Sequence, residues 1–196
     1  MVGHELSILV IDENRLRAAI IQEGLREAGH QRVTVLNATT EVARRIAEIA
    51  PDVVVIDLEN PDRDRLEHFF TLSKALQKPV AMFVDKSDAA AIGAAVEAGV
   101  SAYVVDGLRK DRVKSILDMA VLRFNAYSRL RQELAEAKTA LEDRKVIDRA
   151  KTILMKQRNL SEADAYALLR KAAMNQNRRL ADLAQSLITA ASLLEP

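Results

Sequence analysis

The sequence of 196 residues contains no cysteine. Disulfides, cysteine-ligated zinc, iron–sulfur clusters and thiol nucleophiles are therefore excluded, and a reducing compartment is permitted. No apolar run approaches the ~18 residues of a membrane span, and the first residues lack the pattern of a secretory signal. We therefore expect a cytoplasmic protein that makes no contact with a membrane.

Glycine and proline are scarce in the second half of the chain. All six glycines precede residue 108, and the only proline after Pro79 is Pro196. Because both residues disfavour helix interiors, their absence predicts a largely helical second half. An apolar content of 49% and a charged content of 29% are typical of a folded protein rather than a disordered one.

The small net charge of the chain conceals an uneven distribution. Residues 1–143 carry 19 basic against 23 acidic side chains, and residues 144–196 carry 10 against 5, so net charges of −4 and +5 give the overall +1. A basic segment on an acidic body indicates either a module that binds a polyanion or a solvated helical surface.

Five short apolar runs alternate with helical patterns in the first half. The runs are apolar throughout, which is typical of strands covered on both faces and predicts a doubly wound α/β domain with a parallel sheet. Gly29 and Gly99 stand where helices would end. The predicted strands are 6–11, 33–36, 53–56, 80–84 and 102–105, and the predicted helices are 15–27, 40–49, 64–76 and 89–97.

Acidic residues follow two of these strands. Asp12 and Glu13 end the first strand, and Asp57 ends the third. In a sheet of order 2-1-3-4-5 these strands are neighbours, so three carboxylates are expected to converge at one edge, where Mg²⁺ would relieve their repulsion. The alternative is that Asp12 and Glu13 only stabilise the N-terminus of the following helix.

Residues 5 to about 122 resemble a response-regulator receiver domain, which implies a flavodoxin-like fold of five parallel strands. The matching positions are the acid pair Asp12 and Glu13, the phosphoacceptor Asp57, Pro61 four residues later and the aromatic switch residue Tyr103. The resemblance also implies a Mg²⁺ site at Asp12, Glu13 and Asp57 and control by a sensor protein or histidine kinase of a two-component phosphorelay.

Two switch positions depart from the receiver pattern. Val84 stands where receivers usually carry Thr or Ser, and Asp106 stands where they carry Lys. Since phosphoryl transfer relies on positioned donors and positive charge, these residues predict a weak or dispensable response to phosphorylation. Lys86 or Lys110 are candidates for the missing cation, although both are also typical of solvated surface lysines. Control by a protein partner is the favoured alternative.

A long helix is predicted from Asp111 towards Leu141. Its apolar residues follow the alternating three- and four-residue spacing of a coiled-coil seam over about two heptads. A seam this short is also compatible with a packed amphipathic linker helix. The seam residues, on which we predict a homodimer, are Tyr127, Leu130, Leu134, Ala137 and Leu141.

Three helices are predicted in the last segment. The first carries an apolar stripe of Ile147, Ala150 and Leu154. Ser161 is placed to cap the second, with Asp164 three residues later. Asn177 is the predicted N-cap of the third, over residues 178–194.

This segment resembles the ANTAR domain. The resemblance covers residues 135 to about 193 and includes Ile147-Asp148-Arg149-Ala150-Lys151, Leu169-Arg170-Lys171-Ala172-Ala173-Met174 and Asn177-Arg178-Arg179-Leu180. It implies RNA binding and transcription antitermination, with leader hairpins as the RNA partner. The combination with an atypical receiver is similar to AmiR and NasT regulators, especially the nitrate-responsive branch, which implies control of nitrate or nitrite assimilation genes. The predicted parts are a receiver-like domain over 1–122, a coiled-coil linker over 123–134 and an ANTAR domain over 135–196.

Basic residues and one tyrosine are the candidate RNA contacts. Arg144, Lys151 and Arg158 recur every seven residues and are expected to lie opposite the apolar stripe. Tyr166 is either a stacking platform for a base or a core residue. The further candidates are Arg170, Arg178 and Arg179.

Two other classes of binding protein compete with this interpretation. A DNA-binding response regulator fits less well, because residues 144–196 show no recognition helix with a glycine-containing turn. A receiver-type interaction module, whose helical tail only dimerises, is the main alternative. An enzyme is not expected, because the three histidines are scattered and no nucleophile–base pair or glycine-rich phosphate loop is present.

Overall fold

The computed structural model describes residues 6–37, 41–106, 109 and 111–194. The chain divides into two units, residues 1–128 and residues 129–196, and the division falls within the predicted linker 123–134. None of the helices described is long and apolar enough to cross a membrane.

The first unit contains a parallel sheet of five strands in the order β2-β1-β3-β4-β5. This is the predicted α/β architecture, and it is confirmed. The strands are β1 Ile8–Ile11, β2 Val33–Leu36, β3 Val53–Leu58, β4 Val80–Val84 and β5 Ala102–Val105, and the helices between them are α1 Arg15–Glu27, α2 Val42–Ile49, α3 Arg63–Ala75 and α4 Ala89–Glu97.

Both faces of the sheet are covered, which explains the unbroken apolar runs. Successive strand residues point to opposite faces, so Leu9 and Ile11 pack in one core while Ile8 and Val10 pack in the other. The first core includes residues of α2, α3 and α4, and the second includes residues of α1. This arrangement leaves the carboxyl ends of the strands as the open edge.

The predicted glycine helix stops are confirmed. Gly29 follows α1 with φ 98°, and Gly99 follows α4 with φ 75°. Both angles lie in the left-handed region that glycine adopts without steric cost, and the amide of the next residue reaches back to a carbonyl of the last helical turn.

A single helix, α5, extends from Val113 to Arg158, and it is followed by α6 Glu162–Asn175 and α7 Leu180–Leu194. Within the first unit, Val113 and Leu117 pack against the sheet. The predicted start of the last helix at residue 178 is wrong by two residues.

Asn177 ends α6 rather than capping α7. It has a left-handed φ of 49°, and the Arg178 amide donates to the Ala173 carbonyl at 3.0 Å. These features define a Schellman-type helix end, for which asparagine is the usual substitute for glycine. Ser161, in contrast, caps α6 as predicted, because its side chain accepts from the Asp164 amide.

The second unit has a small core with alanine at its helix contacts. Ala150, Ala165 and Ala184 are completely buried, one on each of α5, α6 and α7. Small side chains allow the helix axes to approach closely. Leucine and isoleucine side chains complete the core, including Leu154 and Leu169.

Candidate phosphoacceptor pocket and basic helical surface

Asp57 lies at the edge where β1 and β3 are neighbours. Ile11 pairs with Ile56 in the register of these strands, so the residues that follow them, Asp12 after the end of β1 and Asp57 within β3, lie at the same level. Both are buried, and the Asp57 side chain is only 1% exposed. The predicted convergence of these two carboxylates is therefore observed.

The cation at this pocket is Arg17, which the sequence did not reveal. Its Nε donates to Asp57 Oδ2 at 3.0 Å, and its Nη2 donates to Asp57 Oδ1 at 2.8 Å. The other edge of the guanidinium faces Asp85, with Nη1–Oδ2 and Nη2–Oδ1 distances of 3.2 Å. Glu59 approaches Nη1 at 3.9 Å. One guanidinium thus pairs with two carboxylates and lies near a third.

The start of α1 sets the position of Arg17. Asn14 caps the helix by accepting from the amides of Leu16 and Arg17. Asp12 in turn accepts from the Asn14 amide at 2.8 Å. Neither Asp12 nor Glu13 is the N-cap, so the alternative role considered for them is taken by Asn14. The cap places Arg17 in the first turn, directly after the strand end that carries Asp12.

Burial and charge shift the pKa values in this pocket. Burial raises the pKa of Asp57 above its usual range, although the Arg17 hydrogen bonds and charge oppose the rise. Burial also raises the pKa of Asp12 to about 6, with the Asn14 amide opposing the rise and the Asp57 charge adding to it. For Arg17, burial disfavours the charged form, but hydrogen bonds to Asp85 and Asp57 outweigh it and raise the pKa.

The predicted three-carboxylate Mg²⁺ site at Asp12, Glu13 and Asp57 is not assembled. Glu13 accepts from Arg65 at 2.9 Å, and both Asp57 oxygens accept from Arg17. Among the described residues, no group of three acidic or histidine side chains is arranged to hold a metal ion. The physical reason is that protein cations already satisfy two of the three carboxylates, so these side chains do not fit a divalent ion as they stand.

The predicted switch positions have different environments. Val84 is completely buried, and its aliphatic side chain has no hydrogen-bond donor for Asp57. Asp106 is exposed at the end of β5 with a left-handed φ of 76°. Lys86 is exposed, and Lys110 lies outside the described residues. Within the described part of the chain, the cation that pairs with Asp57 is Arg17, on α1.

Tyr103 is held in a partly buried position. Its hydroxyl lies 2.9 Å from Ser87 Oγ, and its ring lies 6.4 Å from the ring of Phe70. The contacts join β5, the segment after β4 and α3. Tyr103 therefore occupies one defined position near the pocket, while its switching role remains a prediction.

In the second unit, Lys151 does not lie opposite the apolar stripe. Its side chain is only 14% exposed, and its ammonium lies 2.7 Å from both Asp148 Oδ1 and Glu162 Oε1. These contacts raise the pKa of Lys151 and lower that of Asp148. Residues separated by three or four positions share a helix face, so Lys151 lies beside Ile147 and Leu154. Its bridge from α5 to α6 is a structural contact.

Two more predicted cations make contacts within the unit. Arg178 donates to the Asp182 carbonyl at 3.1 Å and to Ser186 Oγ at 2.8 Å, within the first turns of α7. Arg179 Nη2 lies 2.5 Å from Asp143 Oδ2 and joins the start of α7 to α5. Both side chains remain largely exposed.

The other predicted RNA contacts are accessible. Arg144, Arg158 and Arg170 are exposed, and Arg144 approaches Asp148 only at 3.9 Å. Tyr166 is 42% exposed, which excludes the role of a fully buried core residue.

Two grooves cross the surface of the second unit. One, of about 450 Å³, is bordered by Arg158 and Arg178 and has an apolar floor that includes Leu168 and Leu187. The other, of about 310 Å³, lies between α5 and α7, and its lining combines two basic residues with polar and apolar side chains: Arg149, Thr152, Ile153, Lys156, Gln157, Ile188, Ala191 and Ser192. Each of these grooves thus has two basic residues in its lining.

The sequence matches the response regulator receiver domain over residues 8–118 and the ANTAR domain over residues 135–188. The chain belongs to the ANTAR response regulators. The two matched regions correspond to the parallel-sheet domain and to most of the helical second unit.

This ANTAR response regulator is similar to known proteins over all or part of its length. It is 27% identical to the transcriptional regulatory protein PdtaR of Mycobacterium tuberculosis, over 91% of this chain and 87% of PdtaR. It is 36% identical to the nitrate regulatory protein of Klebsiella oxytoca over 80 residues, which are 41% of this chain and 20% of that protein. A response regulator of Thermotoga maritima shares the receiver fold, with a TM-score of 0.52 at 18% identity, over 60% of this chain and 98% of that one.

Three functional candidates of the ANTAR response regulator escaped sequence reasoning. In the sequence, Arg17 has the pattern of an arginine on the solvent-exposed face of a helix. Arg149 and Lys156 lie outside the seven-residue repeat from which RNA contacts were predicted. A usable signal existed for Arg17, because Val84 and Asp106 leave a buried Asp57 without the usual cation. A buried carboxylate requires a partner, so another cation had to be supplied.

Proposed function

We propose that this protein is a signal-responsive, RNA-binding transcription antiterminator that recognises leader hairpins. The ANTAR domain at residues 135–188 carries the proposal. The relative named as a transcriptional regulatory protein agrees with it. The similarity to the nitrate regulatory protein, over 41% of this chain, supports nitrate or nitrite assimilation genes as the target. The proposal also fits the chain's charge distribution, because the basic segment coincides with the ANTAR domain.

The proposed RNA surface centres on the groove bordered by Arg158 and Arg178. RNA loops expose phosphates, which arginine can contact, and unstacked bases, which apolar or aromatic surfaces can cover. The leucine floor of the groove provides such a surface, and the half-exposed Tyr166 provides a second. Arg170 adds an exposed cation on α6. Lys151 contributes instead to the packing of α5 against α6.

We expect removal of Arg158 and Arg170 to weaken RNA binding without unfolding the helices. Alanine at both positions deletes two exposed cations. Each lost phosphate contact should make the negative slope of log affinity against log salt shallower by about 0.7 to 0.9. The measurement is affinity for a two-hairpin leader RNA over a series of salt concentrations, with helix content followed by circular dichroism.

A charge-matched control uses the receiver domain. Arg26→Ala with Lys74→Ala removes two exposed cations there, and this variant should retain both the wild-type affinity and the wild-type salt slope. Equal behaviour of the two variants would show that net charge alone governs binding. If the wild-type chain binds no structured RNA yet still dimerises, the alternative of an interaction module with a dimerising tail is favoured.

The exposed seam of α5 supports a homodimer. Tyr127, Leu130, Leu134 and Leu141 are between 54% and 62% exposed, which is unusual for apolar residues spaced at three and four positions along one helix. A second copy of the same helix would cover this seam. A dimer also presents two ANTAR domains, which matches an RNA containing two hairpins.

We propose that the signal arrives through a protein partner, such as a sensor protein or histidine kinase, rather than through phosphorylation of Asp57. Both Asp57 oxygens accept hydrogen bonds from Arg17, and Val84 and Asp106 supply neither the hydroxyl nor the cation that normally reads a phosphoryl group. A partner shifts the active population only if it binds the inactive arrangement more tightly.

Asp57→Asn is expected to retain wild-type RNA affinity and antitermination. Asparagine has the size of aspartate and still offers an oxygen to Arg17, so the pocket keeps its shape. Treatment of the wild type with acetyl phosphate and Mg²⁺ should change RNA affinity by less than about threefold, or roughly 0.6 kcal/mol. Mass spectrometry of the treated protein reports whether Asp57 was modified. A tenfold gain that Asp57→Asn abolishes would contradict the proposal.

A further inference from the structure

The planar guanidinium of Arg17 donates hydrogen bonds to Asp57 along one edge and to Asp85 along another. The Nε–Nη2 edge faces Asp57, and the Nη1–Nη2 edge faces Asp85. This forked geometry is specific to arginine, because lysine provides a single ammonium rather than two fixed donor edges. The side chain of Arg17 is 23% exposed and that of Asp57 only 1%, so much of the contact is shielded from water.

Asp12 adds an unsatisfied oxygen to the same pocket. It is 5% exposed, and its Oδ2 has no hydrogen-bond partner among the described residues. Without Arg17, the pocket would therefore contain three acidic side chains, Asp12, Asp57 and Asp85, and no cation from the described part of the chain would pair with Asp57. Oxygen ligands of this kind favour a hard divalent ion.

A divalent ion and the Arg17 guanidinium compete for Asp57. Mg²⁺ requires carboxylate oxygens at about 2.0–2.1 Å, and both Asp57 oxygens already accept from the guanidinium. An ion bound there would lie against a like charge in a site with little water to screen the repulsion. Occupation by one cation therefore opposes occupation by the other.

We propose that Arg17 is the resident cation of the receiver pocket and makes the pocket independent of divalent metal. The residue determines which cation the pocket accepts: with arginine present the carboxylates are neutralised from within the chain, and without it they form a divalent-ion site. This conclusion concerns the receiver domain and does not depend on RNA binding by the ANTAR domain.

The test compares Mn²⁺ and Mg²⁺ binding to the full-length wild type and to Arg17→Gln. Binding of Mn²⁺ is counted by electron paramagnetic resonance, and the melting temperature is measured in EDTA and in about 10 mM Mg²⁺, a concentration at which a millimolar site would be mostly filled. The wild type is expected to bind no Mn²⁺ at the pocket and to melt at the same temperature in both buffers. Arg17→Gln should melt lower in EDTA, recover in Mg²⁺ and bind one Mn²⁺.

Three further variants make the result specific. Arg15→Gln removes an exposed arginine from the same helical turn and should behave as wild type. Arg17→Gln combined with Asp57→Asn should lose the gained Mn²⁺ site. Arg17→Lys, which keeps one positive charge, should fold more readily than the glutamine variant and show a weaker metal response. Millimolar or tighter binding of Mg²⁺ to the wild-type pocket would overturn the proposal, and so would an Arg17→Gln protein that folds but neither binds Mn²⁺ nor gains stability in Mg²⁺.

Discussion

Replacing Leu130 and Leu134 together by glutamate is expected to make the protein monomeric and to reduce its affinity for a two-hairpin RNA by about 100-fold. Both leucines lie on the exposed seam of α5, and a buried pair of like charges would oppose association of two such helices. Loss of the dimer removes the high effective concentration of the second ANTAR domain. Affinity for a single hairpin should remain unchanged, because both positions precede residues 135–188.

Sedimentation velocity at tens of micromolar and RNA titrations check this prediction. The matched control is Gln132→Glu with Thr139→Glu, which adds the same charge at positions on the opposite side of the heptad pattern. This control should remain dimeric. A dimer that survives the Leu130 and Leu134 substitutions would show that the seam is not the interface.

Leu169→Ala is expected to destabilise the helical second unit by about 3 kcal/mol, which is a large share of the stability of so small a core. Leu169 is 2% exposed and contacts a core whose other buried members include three alanines, so little side-chain volume is available to fill the cavity. The receiver has its own two cores and should be unaffected.

Hydrogen exchange detected by mass spectrometry separates the two units in the full-length protein. Amides of α6 and α7 should exchange about 150-fold faster in Leu169→Ala, while those of β1 and β3 should keep their wild-type protection. Met174→Ala shortens an exposed side chain of the same helix. It should change the free energy of opening, as measured by hydrogen exchange, by less than about 0.5 kcal/mol. Equal protection in the two variants would contradict the assigned core.

The predictions for the receiver fold succeeded because they depend on local patterns. The predicted strands 33–36, 80–84 and 102–105 coincide with β2, β4 and β5, and two of the four receiver helices have the predicted bounds. Strands covered on both faces are continuously apolar, and glycine with positive φ ends helices, so both signals are readable within a few residues.

The predicted position of Lys151 opposite the apolar stripe is wrong, and helix geometry explains why, while an RNA contact by Lys151 stays a prediction. A seven-residue repeat keeps cations on one face, but that face also includes positions three and four residues away, which here are Ile147 and Leu154. Because Lys151 lies beside the apolar stripe, its side chain is partly buried in the contact between α5 and α6. Its ammonium forms salt bridges with Asp148 and Glu162 there. Arg158, one repeat later, is exposed and borders the groove.

By itself, the sequence determined the order of the elements, the receiver and ANTAR resemblances and the proximity of Asp12 to Asp57, because each follows from short-range patterns and from strand order. Only the tertiary structure decided which cation meets Asp57. Arg17 is separated from Asp57 by 40 positions and from Asp85 by 68, and no local pattern encodes a contact over such a span. The contact forms because the carboxyl ends of the neighbouring parallel strands β1, β3 and β4 lie at the same edge of the sheet. The Asn14 cap begins α1 at this edge and so places Arg17 beside Asp57 and Asp85.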